Sequence, residues 1–232
     1  MKAVLLSAGF GERLHPLTEK IPKVMVSING KPCIQYNIEN LKKQGITDFL
    51  INTHYLPEKI KEYLKDGSKF GVKITYSYEP EILGTSGALK NFRKDLNETF
   101  LVIYADVISN INIKEALEIH KQNNAIATIV LDGQRSQKGK GVVIKDKERV
   151  LKFIEKPKKE IVGGLISSGF YIMEPSVLDV IPEGFSDFGK DILPKLIKEE
   201  EVFCIEHKGY IFDIGTIEDL KKAEHFLNKR QN

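Results

Sequence analysis

Apolar runs of strand length alternate with stretches of helical periodicity through the first half of the chain, and few folds satisfy that alternation. Lys2–Ser7 is nearly continuously apolar, as expected of a strand covered on both faces. Ile34, Ile38 and Leu41 recur on one face of a predicted helix, Ile34–Lys43, which begins just after Pro32 and stops before Gly45. Asp48–Thr53 reads as the next strand, Pro57–Leu64 as a helix and Val72–Ser77 as a strand. Ser86–Arg93 should be helical, Thr99–Tyr104 a buried strand, and Ile113–Lys121 a helix capped by Asn112. Strand, helix and strand joined by short links call for an α/β fold, with a mostly parallel sheet under covering helices.

The second half changes character. Ala125–Leu131, Gly141–Ile144, Val150–Glu155 and Ser168–Met173 are strand-like, with a turn at Asp146-Lys147. They read as antiparallel additions or a small β-rich lobe. Asp187–Glu199 and Ile217–Asn228 are the closing helices. With no proline- or glycine-rich linker between the halves, a single domain over residues 1–232 is expected, with sub-lobes 1–110 and 111–232.

Charge narrows the partners. The 35 basic and 32 acidic residues leave a net charge of +3 and no basic block, which argues against nucleic acid. Anion binding must then rest on local clusters such as Lys156-Pro157-Lys158-Lys159. Cys33 and Cys204 lie far apart without a CxxC partner and read as reduced thiols. The apolar run after Lys2 is too short for a signal-peptide core, and no run approaches the ~20 residues of a membrane span. A cytoplasmic protein with no membrane partner is expected.

The first strand breaks into Ser7-Ala8-Gly9-Phe10-Gly11-Glu12-Arg13. A strand followed by a glycine-rich turn and a cation is a generic phosphate cradle, because bare glycines let backbone N–H groups approach an anion. The P-loop pattern is missing: Lys190 follows Gly189, but Asp191 stands where the hydroxyl residue belongs. The dinucleotide fingerprint is incomplete too, since Leu14 takes the place of its third glycine; this weakens the case for an oxidoreductase.

The longer string, Ala8-Gly9-Phe10-Gly11-Glu12-Arg13-Leu14, then Pro16-Leu17-Thr18 and Pro22-Lys23, resembles the GGxGTRLxPLTxxxPKP signature of the sugar-1-phosphate nucleotidyltransferases. Ala8, Glu12 and Val24 depart from that signature; Arg13 and Lys23 keep it. Further resemblances follow in the family's order. They are Leu83-Gly84-Thr85-Ser86-Gly87-Ala88-Leu89, a strand ending at Asp106, Glu155-Lys156-Pro157, Ser168-Gly169-Phe170-Tyr171, and Asp213-Ile214-Gly215-Thr216. They span residues 1 to about 225, nearly the whole chain.

The resemblance implies a Rossmann-like three-layer sandwich, the nucleotide-diphospho-sugar transferase fold, with nucleotide in the first half and sugar phosphate in the second. It implies an enzyme that joins an NTP to a sugar 1-phosphate, giving NDP-sugar and pyrophosphate with Mg²⁺ as cofactor. By the same resemblance Ser7, Ala8, Gly9, Gly11, Glu12 and Arg13 cradle the nucleotide's phosphates, and Arg13 grips the departing pyrophosphate. Glu79, Gly84 and Thr85 lie toward the base. Lys23 serves the α-phosphate, and Asp106 and Asp213 hold the metal. Gly141, Glu155, Lys156 and Ser168 face the sugar phosphate, with Lys156 on its phosphate and Glu155 on its hydroxyls. The Leu-Gly-Thr-Ser-Gly-Ala-Leu form leans toward GTP, with dTTP, UTP and CTP open and the sugar unassigned. The alternative of another class is a non-catalytic sugar-nucleotide-binding regulatory subunit. The family also has room for a homo-oligomer.

Overall fold

The first apolar run becomes β1 (Ala3–Leu6) in the computed structural model, which describes residues 1–133 and 136–231. Single 3-10 turns and a short antiparallel pair, β2 (Ser27–Ile28) and β3 (Lys31–Pro32), lead to α1 (Cys33–Lys43). Pro32 sits at its N-cap, Lys42 and Lys43 face the negative end of its dipole, and Gly45 leaves at φ 87°. Next come β4 (Asp48–Thr53), α2 (Pro57–Leu64), which starts on its proline, and β5 (Lys73–Tyr78).

The stretch expected as one helix after residue 86 is instead a four-residue α3 (Gly84–Gly87) continued by a 3-10 turn over Ala88–Phe92. Its two glycines disfavour a longer α-helix. β6 (Phe100–Tyr104) and β7 (Val107–Ser109) precede α4 (Ile113–Gln122), where the Asn112 side chain accepts from the Lys114 amide at 3.1 Å, as its capping role requires. β8 (Ala127–Asp132), β9 (Gly141–Asp146), β10 (Arg149–Glu155) and β11 (Leu165–Met173) follow. After α5 (Val177–Val180), a π-helical turn over Phe188–Ile192 runs into α6 (Leu193–Glu199). β12 (Val202–His207), β13 (Ile211–Asp213) and α7 (Ile217–Gln231) complete the order.

These elements form two compact units, each assembled from separate stretches of chain. The first unit takes residues 2–82, 104–110 and 210–232. Its strands run β5-β4-β1, all parallel, with Leu5 opposite Ile51 and Asn52 opposite Ser77. Val4, Leu5, Phe49, Leu50 and Ile51 are buried, matching the two-sided burial that the apolar runs require. β7 pairs antiparallel with β13. Against that ribbon packs a core of Leu14, Val26, Ile28, Cys33, Ile108 and Ile214, closed by Leu220, Ala223 and Leu227 from one face of α7. Each such aliphatic side chain contributes about 1.5–3 kcal/mol when buried, so the turns carrying Asp106 and Asp213 rest on a stiff floor.

The second unit takes residues 83–103 and 111–209, with Met1. Its strand order is β6-β11-β8-β12-β10-β9. β8 and β12 are parallel; β11 runs antiparallel to β6 and β8, and β9 and β10 form a hairpin turning at Lys147. The fold is therefore α/β with a mixed sheet: parallel pairing dominates the first unit and antiparallel pairing the second. β12 lies in a stretch to which the sequence reading assigned no strand.

Candidate active site

Three parallel strands of the first unit end together in polar residues. The Ser7 amide, just past β1, donates to Asn52 Oδ1 at 2.8 Å, and the Ser7 hydroxyl donates to the Asn52 carbonyl. Asn52 Nδ2 in turn donates to Glu79 Oε1 at 2.8 Å. All three residues are buried. Glu79, expected to lie toward the base, has its carboxylate turned inward onto this amide. The network fixes the point at which the glycine loop leaves the sheet.

Beyond Ser7 the loop opens. A side chain at Gly9 would meet nothing within 4 Å, whereas Gly11 has φ 72° and a Cβ there would lie 2.9 Å from Lys23 Cβ. Gly11 is thus needed both for its backbone angle and for the passage of the Lys23 stem. Its carbonyl accepts from Thr18 Oγ1 at 2.8 Å and from the Leu14 amide at 2.9 Å, closing the 3-10 turn of Glu12–Leu14. Arg13 is exposed, and its guanidinium passes close to Gly215: a Cβ on that glycine would lie 3.3 Å from Arg13 Nη2 and 3.4 Å from Asp219 Oδ2.

Lys23 points at two carboxylates. Its Nζ forms an ion pair with Asp106 and lies 3.8 Å from Asp213 Oδ1. The three side chains are only 14%, 21% and 18% exposed, so solvent screens them weakly. Local backbone pairing brings the aspartates together. Asp213 sits opposite Val107 in the β7–β13 ribbon, and the Ile214 amide donates to the Asp106 carbonyl at 2.9 Å. The preceding carbonyl, of Ala105, accepts from Asn37 Nδ2 at 3.1 Å and Cys33 Sγ at 3.4 Å, while the Ala105 amide donates to Leu6. Burial pushes the Cys33 thiol far above its usual range, and the Asp106 charge adds to that shift, so it acts as a neutral prop.

Two hard carboxylates around a spot already taken by an ammonium suit a small divalent cation. Among the described residues no group of three or more His, Cys, Asp or Glu residues could hold a metal. Water and substrate oxygens would have to complete the coordination.

In the second unit, Glu155 at the end of β10 lies opposite Gly141; a Cβ at Gly189 would run into its carboxylate, and one at Gly141 would strike the Phe153 ring and lie 3.2 Å from Glu155 Oε2. Bare backbone thus flanks Glu155 on two sides. Lys156, at φ 46° and exposed, places Nζ 3.3 Å from Glu155 Oε1. Ser168 is buried, its hydroxyl accepting from the Phe170 amide at 3.2 Å beside an irregularity in β11, which turns it to its own backbone. Gly84 and Thr85 clamp the 184–188 segment. A Cβ at Gly84 would strike the Ser186 carbonyl, and Thr85 Oγ1 donates to Asp187 Oδ2 (3.1 Å) and accepts from the Phe188 amide (2.9 Å).

The model of the nucleotidyl transferase family matches residues 2–230. The chain belongs to that family. Among its relatives, mannose-1-phosphate guanylyltransferase 1 of Arabidopsis thaliana is 39% identical over 94% of this chain and 62% of its own length. UTP–glucose-1-phosphate uridylyltransferase of Synechocystis is 36% identical over 96% of this chain and 62% of its own. The chain thus spans about three fifths of the length of these curated relatives. HddC of Yersinia pseudotuberculosis, solved with GMP-PN, superposes with a TM-score of 0.83 at 29% identity, over 97% of this chain and 99% of that one. The fold is the nucleotide-diphospho-sugar transferase fold.

Asn37, Asn52, Ser186 and Asp187 also build the site, beyond the residues that the sequence motifs single out. Asn37 and Asn52 carry a signal, each being a polar residue on an otherwise apolar buried face. Ser186 and Asp187 carry none, because their partners, Ser86 and Thr85, lie about a hundred positions away.

Proposed function

We propose that this nucleotidyl transferase moves a nucleoside monophosphate from an NTP, GTP foremost, to a sugar 1-phosphate, releasing pyrophosphate. The observation that carries the reading is the Lys23–Asp106–Asp213 cluster, held next to a glycine loop that bears Arg13. The attacking sugar phosphate is already largely ionised near neutral pH, its second pKa being about 6, so no side-chain nucleophile is required. The residues must bring two polyanions together and offset the charge that develops.

In this assignment the loop amides of Ala8–Glu12 and the Arg13 fork take the triphosphate's outer phosphates and follow the pyrophosphate as it leaves. Lys23 offsets charge on the α-phosphate. Asp106 and Asp213 would hold Mg²⁺, which when bound neutralises phosphate charge and orients the reacting oxygens. Lys156 takes the sugar's phosphate and Glu155 its hydroxyls, with Gly189 leaving the space that the carboxylate itself fills. Gly84 and Thr85 stay assigned to the nucleotide, with Thr85's hydroxyl fixing the loop. Ser168 and Glu79 support the sugar and base sides through the backbone and through Asn52.

The guanylyl relatives and the GMP-PN complex of HddC support GTP; the uridylyl relative supports UTP as the second reading. A setting that keeps the two buried free thiols reduced, the cytoplasm, fits the assignment. No helix of the described residues is long and apolar enough to cross a membrane.

The test is a matrix of GTP, UTP, dTTP and CTP against a panel of sugar 1-phosphates with Mg²⁺, read as pyrophosphate release. Release with GTP and one sugar phosphate is expected. Release only with another nucleotide moves the base assignment, and no release with any pair supports a binding subunit.

A further inference from the structure

We propose that Lys23 is a built-in counter-ion, whose ammonium occupies the Asp106–Asp213 pair in the free protein and holds its affinity for divalent cations low until a polyphosphate draws it away. This rests on the reading of those two aspartates as the metal ligands. The ammonium is ion-paired with Asp106 and 3.8 Å from Asp213 Oδ1, so it sits where a shared cation would be attracted.

The stem of Lys23 is confined. Its Cβ and Cγ fill the space left by the missing side chain of Gly11, and its own residue opens the 3-10 turn of Lys23–Met25. Only the end of the chain, beyond Cγ, is left to swing. A divalent ion entering between the carboxylates meets the tethered positive charge of Lys23 in a poorly screened place, and the two cations repel each other. The repulsion is relieved when Lys23 finds another anion. The phosphates bound by the neighbouring glycine loop are that anion.

Metal and nucleotide are then coupled through one side chain. Whatever factor the nucleotide gains from the metal, the metal gains from the nucleotide. The lysine also contributes positive charge to the half-buried carboxylates of Asp106 and Asp213 before substrate arrives.

The experiment titrates Mn²⁺ into nucleotide-free protein and counts free ion by electron paramagnetic resonance, for wild type, Lys23→Met, and Lys23→Met combined with Asp106→Asn. Lys23→Gln serves as a second variant, and thermal melting with and without Mn²⁺ gives an independent readout. Lys23→Met is expected to bind Mn²⁺ about tenfold more tightly than wild type, to melt lower without the ion, and to recover more on adding it. The Asp106→Asn combination should lose that gain. If Lys23→Met binds no more tightly than wild type while the combined variant binds more weakly still, the aspartates are ligands but Lys23 is not their counter-ion. Equal binding by Lys23→Met and the combined variant removes the metal assignment, and the proposal with it.

Discussion

The amide of Ile214 donates to the carbonyl of Asp106 at 2.9 Å, and through this one backbone bond two aspartates far apart in the chain become neighbours. The bond involves no carboxylate atom. The side chains can therefore be changed without undoing the turn that carries them.

Asp106→Asn is expected to lower turnover about 10²–10³-fold while leaving the unfolding free energy within about 1 kcal/mol of wild type. Steady-state pyrophosphate release and urea denaturation measure the two quantities. A variant that keeps near wild-type turnover overturns the ligand assignment.

The two glycines of the loop should respond differently. Gly11→Ala adds a Cβ at φ 72°, against the Lys23 stem. It should cost roughly 1–3 kcal/mol and raise the KM for nucleotide. Gly9→Ala meets open space at an ordinary backbone angle, so its stability should change by about 0.5 kcal/mol or less. Equal losses at both positions would show that the loop's strain is misplaced.

Asn52→Leu removes one hydrogen-bond partner from the Ser7 amide and one from the fully buried Glu79 carboxylate at once. About 3 kcal/mol of stability should go with it, since two buried polar groups each lose a hydrogen bond. Adding Glu79→Leu to that variant should return part of the loss, a non-additivity that a double-mutant cycle would register.

Alkaline titration should weaken the fold in a defined window. Burial raises the Cys204 thiol from 9.0 to about 12, and burial also raises Tyr76 from 10.0 to about 12. Above pH 9 the unfolded chain releases these protons first and so binds fewer of them than the folded one. Stability present below that pH is lost as pH climbs toward 12. Cys204→Ala should reduce the slope of unfolding free energy against pH by up to about one proton between pH 9 and 12. An unchanged slope would mean the thiol titrates as if exposed.

Much of this was legible in the residues, element by element. Pro57–Leu64 and Asp48–Thr53 match their predicted bounds because proline, periodicity and two-sided burial speak together there. The cap at Asn112 is readable because an asparagine stands just before a helix-periodic run. β12 was not: Val202 and Cys204 are buried while Phe203 and Ile205 are only half-buried, and charged residues crowd both ends of the run. The ribbon of β7 and β13 is three residues on each side, too short for any period to register. At the site, the family resemblance assigns Asp106 and Asp213 to one metal and Lys23 separately to the α-phosphate. That Lys23 pairs with both aspartates is a tertiary fact, carried by separations of 83 residues or more that no local pattern encodes.

The first unit returns to residues 210–232 for its last pieces, and this order has a consequence during synthesis. As the nascent chain leaves the ribosome, the glycine loop, Lys23 and Asp106 all emerge well before Asp213 exists. Among the described residues β7 pairs in its ribbon with β13 alone, so its edge waits open through the making of about a hundred further residues. The carboxylate pair is completed only once Asp213 has been made, and a chain stalled before it carries half of the pair.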